Sequence, residues 1–270
     1  MLDHLGCQRV TRPRTRTRSR GFCRRREMVE RKARLYSFAL TCTHMSPLRD
    51  AVPIKSPPSF VKSHSNEIVK TSPVKLHRTL EGLLTAVRAC RTCDAHLPLG
   101  PRPVVQAGAA ARILVVGQAP GAKVHVSGVP WDDRSGKRLR DWMGIDAETF
   151  YNKTRIAILP MGYCYPGRAA SGDLPPRREC AELWLDRLLA KLPRIELTLL
   201  VGQYAQTHFL RDKGHVSVTA TTRGWRAHAP GIIPLPHPSP RNVAWFMANP
   251  WFDDELLPVL RRSVRQLVAD

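Results

Sequence analysis

Short, continuous apolar runs recur along the chain from residue 112 onward. Four of them are RILVVG at 112–117, RIAILP at 155–160, ELTLLVG at 196–202 and GIIPLP at 231–236. Continuous rather than alternating apolar residues are typical of strands that are buried on both faces, as in parallel sheets. The sequence therefore predicts a mainly parallel sheet of four strands.

Segments with helical spacing alternate with these runs. The predicted helices are HRTLEGLLTAVRAC from His77, SGKRLRDWMGI with Ser135 as its cap, a helix over about 177–192, QYAQTHFL after the third strand, and a closing helix over 253–268. Alternation of strands and helices is the pattern of βαβ units, so the fold class is α/β. In such sheets, functional residues are expected in the loops at the carboxyl ends of the strands.

The composition divides the chain near residue 75. Residues 1–70 hold 16 Lys and Arg against 5 Asp and Glu, without a sustained apolar period. We expect a disordered, basic Arg/Ser/Pro-rich tail and linker at 1–75 and one domain at 76–270. A transit peptide would place the protein in an organelle, whereas a wrongly chosen start codon would make the tail spurious and the protein cytoplasmic, of bacterial type. A nucleic-acid-binding tail is a third interpretation.

Residues 71–270 hold 27 Lys and Arg against 17 Asp and Glu, and this excess of +10 favours a polyanionic partner, although many basic domains bind none. No apolar stretch approaches the ~18 to 20 residues of a membrane span, so no membrane partner is predicted.

Four cysteines fall in the predicted domain, as the pairs Cys90-x2-Cys93 and Cys164-x15-Cys180. Four soft thiolate ligands suit zinc or an iron-sulfur cluster. Buried free cysteines are the simpler alternative. Disulfides are less attractive, because no secretory signal is visible and CxxC is a typical metal spacing.

Two loops that follow strands carry candidate chemistry. GQAPG, at 117–121, is a turn with few side chains, whose backbone N–H groups could approach a planar ligand, although a tight turn without a ligand would look the same. In HPSPRN, at 237–242, prolines restrict His237, which could donate toward a developing anion or could be a structural histidine.

The segment SGVPWDDRSG adds an aromatic residue and two carboxylates. Trp131 could present its ring to the same pocket, although such a tryptophan is more often part of the core. Asp132 and Asp133 are candidate general bases, but acidic residues at a helix start are common for dipole reasons, and we favour that interpretation slightly.

Taken in order over about 80–270, these motifs resemble the iron-sulfur (family 4) uracil-DNA glycosylases. That family has a CxxC, a GEAPG loop, a TGRPFVGRAG-like loop, a third cysteine before proline, a fourth cysteine in the next helix, and HPS. The counterparts in this chain are, in the same order, Cys90 with Cys93, GQAPG, SGVPWDDRSG, MGYCYPG with Cys164, RRECAELW with Cys180, and HPSP. The resemblance implies a three-layer α/β/α fold around the four-stranded sheet.

The resemblance also implies residue roles. It implies a structural 4Fe-4S cluster on the four cysteines, a uracil that stacks on Trp131 where the family has phenylalanine, and donation from His237 to a uracil carbonyl. Arg138 and Arg241 are the predicted phosphate contacts. The predicted base-binding residues are Gly117, Ala119, Pro120, Gly121, Trp131, Ser239 and Asn242, and the predicted catalytic residues are Gln118, Asp132, Asp133 and His237. The expected partner is uracil-containing DNA, single- or double-stranded, bound by a monomer.

Three departures from the family pattern mark a divergent branch. Gln118 replaces a glutamate, Pro160 stands where the family has a base-reading asparagine, and Asp132 and Asp133 replace apolar or small residues. A proline can offer only its carbonyl there. The alternatives are therefore a nucleic-acid-binding iron-sulfur protein of the same fold without excision activity, or a glycosylase for another base.

Overall fold

The computed structural model describes residues 77–210 and 217–269. The predicted tail and linker at 1–75 lie outside the described residues, and the domain boundary near residue 76 stays a prediction.

A parallel sheet of four strands forms the centre of the described domain. Its order is β2-β1-β5-β6, and all three neighbouring pairs are parallel, as predicted. A separate antiparallel hairpin pairs β3 with β4. The strands are β1 Ile113–Val116, β2 Ile156–Ile158, β3 Arg168–Ala169, β4 Gly172–Asp173, β5 Leu197–Val201 and β6 Ile232–Leu235.

Helices cover both faces of this sheet, which confirms the α/β fold. They are α1 Leu80–Arg88, α2 Ala122–Ser127, α3 Arg134–Met143, α4 Ala147–Tyr151, α5 Arg178–Cys180, α6 Asp186–Leu189, α7 Gln203–Phe209, α8 Val218–Arg223, α9 Val243–Ala248 and α10 Leu257–Val268. A π-helical turn, Ala181–Leu185, joins α5 to α6, and another, Phe252–Leu256, leads into α10. Within 77–210 and 217–269, no helix is both long enough and apolar enough to cross a membrane.

Successive residues of β1 belong to two different cores, which explains the continuous apolar runs. Leu114 and Val116 are buried with side chains of α1, α6 and α7, whereas Ile113 and Val115 are buried with side chains of α3 and α10. All four are at most 1% exposed. Because each strand residue removes apolar area from water on one side or the other, the sheet tolerates no polar alternation.

The start of α3 differs from the prediction. Asp133, not Ser135, is the N-cap, because its extended backbone lets its carboxylate accept a hydrogen bond from the Gly136 N–H at 2.8 Å. Ser135 is buried in the first turn. Aspartate and serine cap helices about equally well, so residue type alone did not separate these positions.

The β3–β4 hairpin was not predicted. Its strands have two residues each and are joined by Ala170 and Ser171, so no periodic pattern marks them. The hairpin matters because it forms one wall of the cleft described next.

Candidate active site and cysteine pocket

A cleft of about 540 Å³ opens at the carboxyl edge of the parallel sheet. The loops that follow β1, β2 and β6 meet there, and the β3–β4 hairpin closes one side. The cleft brings together eleven of the predicted site residues: Gly117, Gln118, Ala119, Pro120, Gly121, Trp131, Asp133, His237, Ser239, Arg241 and Asn242. Asp132 and Arg138 are not part of its lining.

The GQAPG loop is shaped by the indole that packs on it. A Cβ added at Gly117 would lie 2.8 Å from Trp131 Cζ2, so a side chain there would displace the ring. The Gln118 side chain donates from Nε2 to the Leu174 carbonyl at 3.3 Å, and so connects this loop to the segment after the hairpin. Gln118 therefore has a structural contact beside the catalytic role predicted for it.

Trp131 is held in an uncommon backbone conformation at the cleft wall. Its φ of 58° lies in the left-handed region, which costs on the order of 1–3 kcal/mol for a non-glycine residue. The turn is stabilised by Arg140, whose Nη1 donates to the Trp131 carbonyl at 3.4 Å, and by the close approach of Gly136. The indole is half-buried, with part of its surface in the core and part in the cleft.

His237 faces the cleft as a neutral imidazole. The Ser239 backbone N–H donates to His237 Nδ1 at 3.2 Å, which leaves the ring proton on Nε2. Burial lowers the pKa of His237 below its ordinary value, and the carboxylates of Asp133 and Asp173 oppose this shift without reversing it. The ring is therefore a neutral N–H donor at neutral pH.

Arg138 and Asn242 hold the loop that carries His237. Arg138 Nη1 donates to the carbonyls of Pro238 at 3.3 Å and Ser239 at 3.1 Å, and Asn242 Nδ2 donates to the His237 carbonyl at 2.8 Å. The Arg138 guanidinium also lies 5.1 Å from the Phe246 ring centroid. Its predicted contact with DNA phosphate stays a prediction, whereas its hydrogen bonds position the loop.

The two adjacent carboxylates have different surroundings. Asp133 lines the cleft but uses one carboxylate oxygen to cap α3. Asp132 is exposed and outside the cleft lining. The capping contact favours the helix-start interpretation of Asp133, and a base role for either residue stays a prediction.

A family model of the uracil DNA glycosylase superfamily matches residues 105–261, more than half of the chain. The chain belongs to the uracil DNA glycosylase superfamily. Membership indicates a hydrolase of the DNA glycosylase type that acts on DNA. Membership of the iron-sulfur branch of the superfamily stays a prediction.

Pro160 lines the cleft where the resemblance places a base-reading asparagine. It is buried at the start of the loop after β2, and it offers a carbonyl acceptor but no donor. Pro160 therefore cannot supply the side-chain contacts that the resemblance assigns to an asparagine at this position.

Several cleft residues were missed from the sequence: Lys123, Arg134, Ser171, Gly172 and Asp173. Three of them come from the hairpin, which meets the HPSPRN loop. A Cβ added at Gly172 would lie 2.9 Å from Arg241 Nη1. No local pattern predicts this contact between segments about 70 residues apart. The sequence offered one signal for a functional segment here, which is a carboxylate among small residues between the third and fourth cysteines.

A second pocket contains the four predicted metal-ligating cysteines. Cys90, Cys93, Cys164 and Cys180 all line it, with Thr92, Tyr163, Arg177 and Trp184 among its other residues. All four are free thiols, and all but Cys90 are buried. The folding of α1, the loop after β2 and α5 toward one another thus brings two distant pairs together.

Each sulfur has a hydrogen-bonding group beside it. The Cys90 thiol donates to Thr92 Oγ1 at 3.4 Å, whereas the Arg177 side chain donates to Cys93. Backbone N–H groups of Arg102 and Tyr163 donate to Cys164 and Cys180. Such donors stabilise thiolates.

Burial nevertheless disfavours free thiolates in this pocket. It raises the pKa of Cys164 to about 11 and that of Cys180 to about 12, and it raises the pKa of Cys93 as well. Without a cation, these sulfurs are therefore neutral thiols at neutral pH. A metal centre would supply the charge that burial removes.

Three buried polar atoms around the pocket also suit a bound metal centre. Within the described residues, Tyr163 Oη, Arg177 Nε and Trp184 Nε1 have no hydrogen-bond partner, and each can donate. The donor set thus fits a four-sulfur metal centre in number, kind and surroundings. As the side chains stand, however, no three His, Cys, Asp or Glu residues in the described ranges form a group that could hold a metal ion.

Proposed function

We propose that the chain is a uracil-DNA glycosylase that hydrolyses the N-glycosidic bond of deoxyuridine in single- or double-stranded DNA. One observation carries the proposal: a neutral His237 N–H donor and the Trp131 ring share a cleft with the backbone of the GQAPG loop. This arrangement suits a flat base with carbonyl acceptors.

The base must leave the DNA stack to reach this cleft. A glycosylase extrudes the nucleotide and reads it by stacking and by hydrogen bonds to its edge. The Trp131 and His237 ring centroids lie 5.7 Å apart, which is too close for a base to lie between them. We therefore place the base on the open face of the indole, with a carbonyl edge toward His237 Nε2.

Bond cleavage leaves negative charge on the base. As the C1′–N1 bond breaks, its electron pair moves onto the uracil carbonyl oxygens, where the Nε2–H of His237 can stabilise it. Because the ring is neutral and its Nδ1 accepts from Ser239, it donates a hydrogen bond without transferring a proton. Because this donor is already in position, it needs little reorganisation as negative charge develops on the base.

Basic side chains at the cleft fit the DNA backbone. Lys123, Arg134 and Arg241 line the cleft, and all three are exposed. Each phosphate contact releases counterions, so excision at subsaturating enzyme should weaken steeply with salt. We expect the chain to act as a monomer.

The cofactor is proposed to be a 4Fe-4S cluster, with zinc as the alternative. Cys90, Cys93, Cys164 and Cys180 would hold it, and the bound group would supply a structural cross-link between α1, the loop after β2 and α5. The hydrogen-bonding groups at each sulfur and the unpartnered donors around the pocket support this proposal. We expect anaerobically purified protein to contain iron and sulfide in equal amounts. Stoichiometric zinc without iron would instead support the alternative, a zinc site.

The test uses the full chain and oligonucleotides with one uracil, in single- and double-stranded form. Abasic sites are revealed by alkaline cleavage. We expect excision by the wild type, a loss of about 10²- to 10³-fold in His237→Ala because one anion-stabilising donor is removed, and wild-type rates in the control His228→Ala, which lies outside the cleft. Wild-type protein with its full metal content and no excision on either strand form would refute the proposal.

A second candidate is a glycosylase for another base, and Pro160 is the observation that favours it. The missing asparagine removes the side chain expected to distinguish uracil from other pyrimidines. A panel of oligonucleotides with hypoxanthine, xanthine or 5-hydroxymethyluracil in place of uracil separates the two. Excision of one of these bases, together with inertness toward uracil, would select the second candidate. Binding to uracil-DNA without release of any base would select the binding protein.

A further inference from the structure

We propose that Asp173 is the catalytic carboxylate of this site: it positions the attacking water and stabilises the positive charge that develops on the sugar. The inference rests on the proposed glycosylase function and names a residue for it. Asp173 lies at the end of β4 and lines the cleft.

Two aspartates line the cleft within the described residues, and their surroundings differ. The Asp133 carboxylate accepts the capping hydrogen bond from Gly136 N–H. The Asp173 carboxylate has no hydrogen bond or ion pair with any described residue and is exposed to the cleft solvent. Asp173 therefore has all its lone pairs available for water and substrate, whereas Asp133 does not.

The position of Asp173 complements that of His237. Its charge acts on the imidazole across the cleft, where it opposes the burial effect on the His237 pKa. A Cβ added at Gly121 would lie 3.7 Å from Asp173 Oδ2, and a Cβ added at Gly172 would lie 2.9 Å from Arg241 Nη1, so this carboxylate stands beside the GQAPG loop where the hairpin meets the HPSPRN loop. The cleft thus holds both the donor for the departing anion and a negative charge for the cationic sugar.

Three contacts define the hairpin and its position beside the cleft. Gln118 Nε2 donates to the Leu174 carbonyl, directly after Asp173, at 3.3 Å. The Leu174 N–H donates to the Gly167 carbonyl at 2.9 Å. Gly172, at a φ of 142°, permits the Arg241 guanidinium to approach the turn, which a side chain would block. The substitution of Gln118 for the family's glutamate supplies the donor for the first contact.

The chemical step balances as follows. The C1′–N1 bond breaks and its electron pair leaves with uracil, which His237 stabilises as an anion. The water oxygen forms the new C1′–O bond on the opposite face of the sugar, and a water proton passes to the Asp173 carboxylate. That proton then returns to the uracil anion through solvent, so the products are uracil, an abasic site and the unchanged enzyme.

The test compares three variants of the full chain: Asp173→Asn, Asp173→Glu and Asp254→Asn. Asp254 is an exposed carboxylate outside the cleft. Asp254→Asn therefore removes the same negative charge without changing the cleft. We expect Asp173→Asn to lower kcat on a uracil oligonucleotide by about 10²-fold or more, with KM nearly unchanged, as for loss of a general base. Asp173→Glu should recover part of the rate, and Asp254→Asn should match the wild type.

Two results would overturn the assignment. A wild-type kcat in Asp173→Asn excludes a catalytic role, and a changed base preference with an unchanged uracil rate would make Asp173 a base-reading residue instead. Thermal melting of each variant separates misfolding from chemistry. If the wild-type protein excises no base, the proposed glycosylase function is wrong. If the wild type excises uracil and only the role of Asp173 is wrong, Asp173→Asn keeps the wild-type rate.

Discussion

The Trp131 and His237 rings face one another in the cleft with centroids 5.7 Å apart and planes tilted by 34°. Trp131 reaches this position from the loop before α3, and His237 from the loop after β6, so two distant segments define one base-sized corner. The backbone of Trp131 is strained, and that strain is retained at a wall of the cleft. Strain of this kind is common where function fixes a side chain.

The first prediction concerns the aromatic face of Trp131. Replacement with phenylalanine should preserve most of the excision rate, because a ring remains for base stacking. Replacement with alanine should weaken binding of a uracil oligonucleotide by about ten- to a hundredfold, since base–aromatic stacking contributes about 1–3 kcal/mol. Fluorescence anisotropy with His237→Ala as the background measures binding without turnover. Equal affinity of the alanine and phenylalanine variants would show that the indole only packs the core.

The second prediction concerns pH. Burial lowers the pKa of His237, so the ring stays neutral from about its ordinary value of 6.5 upward. Single-turnover excision should therefore be flat across pH 6.5–8, whereas a histidine that acts as a general acid would lose activity as pH rises. His237→Gln should also keep part of the excision rate, because glutamine still offers a neutral N–H donor.

The same pKa shift gives a stability prediction of defined sign. The unfolded chain binds a proton at His237 more readily than the folded chain does, so folding stability should decline as pH falls below about 6.5 toward the lowered folded pKa. Above pH 6.5 both states are neutral and the contribution is constant. Denaturant unfolding of wild type and His237→Gln between pH 5 and 8 checks this, and a difference that does not vary with pH would contradict it.

A third prediction concerns Gly136, which lies beneath the Trp131 turn. A Cβ at Gly136 would lie 1.7 Å from the Trp131 carbonyl oxygen, so Gly136→Ala must displace the turn or the start of α3. We expect destabilisation of at least the ~1–3 kcal/mol typical of overpacking, and loss of excision. Gly231→Ala is the matched control, because its nearest neighbour would be 3.9 Å away. A Gly136→Ala protein with wild-type melting temperature and rate would mean that the turn adapts freely.

The sequence predicted the parts of the fold that follow from local patterns. The continuous apolar runs predicted β1, β2, β5 and β6 because burial on both faces leaves a direct trace in the residue order. The position of His237 and of the GQAPG loop at one edge followed, since the carboxyl ends of parallel strands lie together.

Long-range contacts between irregular segments left no such trace. Asp173 lies in the cleft because it belongs to a hairpin of two-residue strands, and no local sequence pattern indicates that Asp173 lies near Gly121 or that Gly172 lies near Arg241. The cap of α3 was assigned to Ser135 because Ser and Asp have similar capping preferences, and only the backbone conformation of Asp133 decides between them.

The last prediction uses the unpartnered Tyr163 hydroxyl to test the cysteine pocket. Tyr163 is 1% exposed, lines the pocket, and its Oη has no partner among the described residues. If the four thiols hold a metal centre, the hydroxyl can donate to its sulfurs, and Tyr163→Phe should lower the reduction potential of a cluster, because hydrogen bonds to sulfur favour the reduced form. If the pocket holds only thiols, the same change removes an unsatisfied buried group and should leave stability unchanged or raised. Potentiometric titration followed by electron paramagnetic resonance, beside denaturant unfolding, distinguishes these cases. Cys180→Ser should abolish bound iron in the first case and leave the metal content at background in the second.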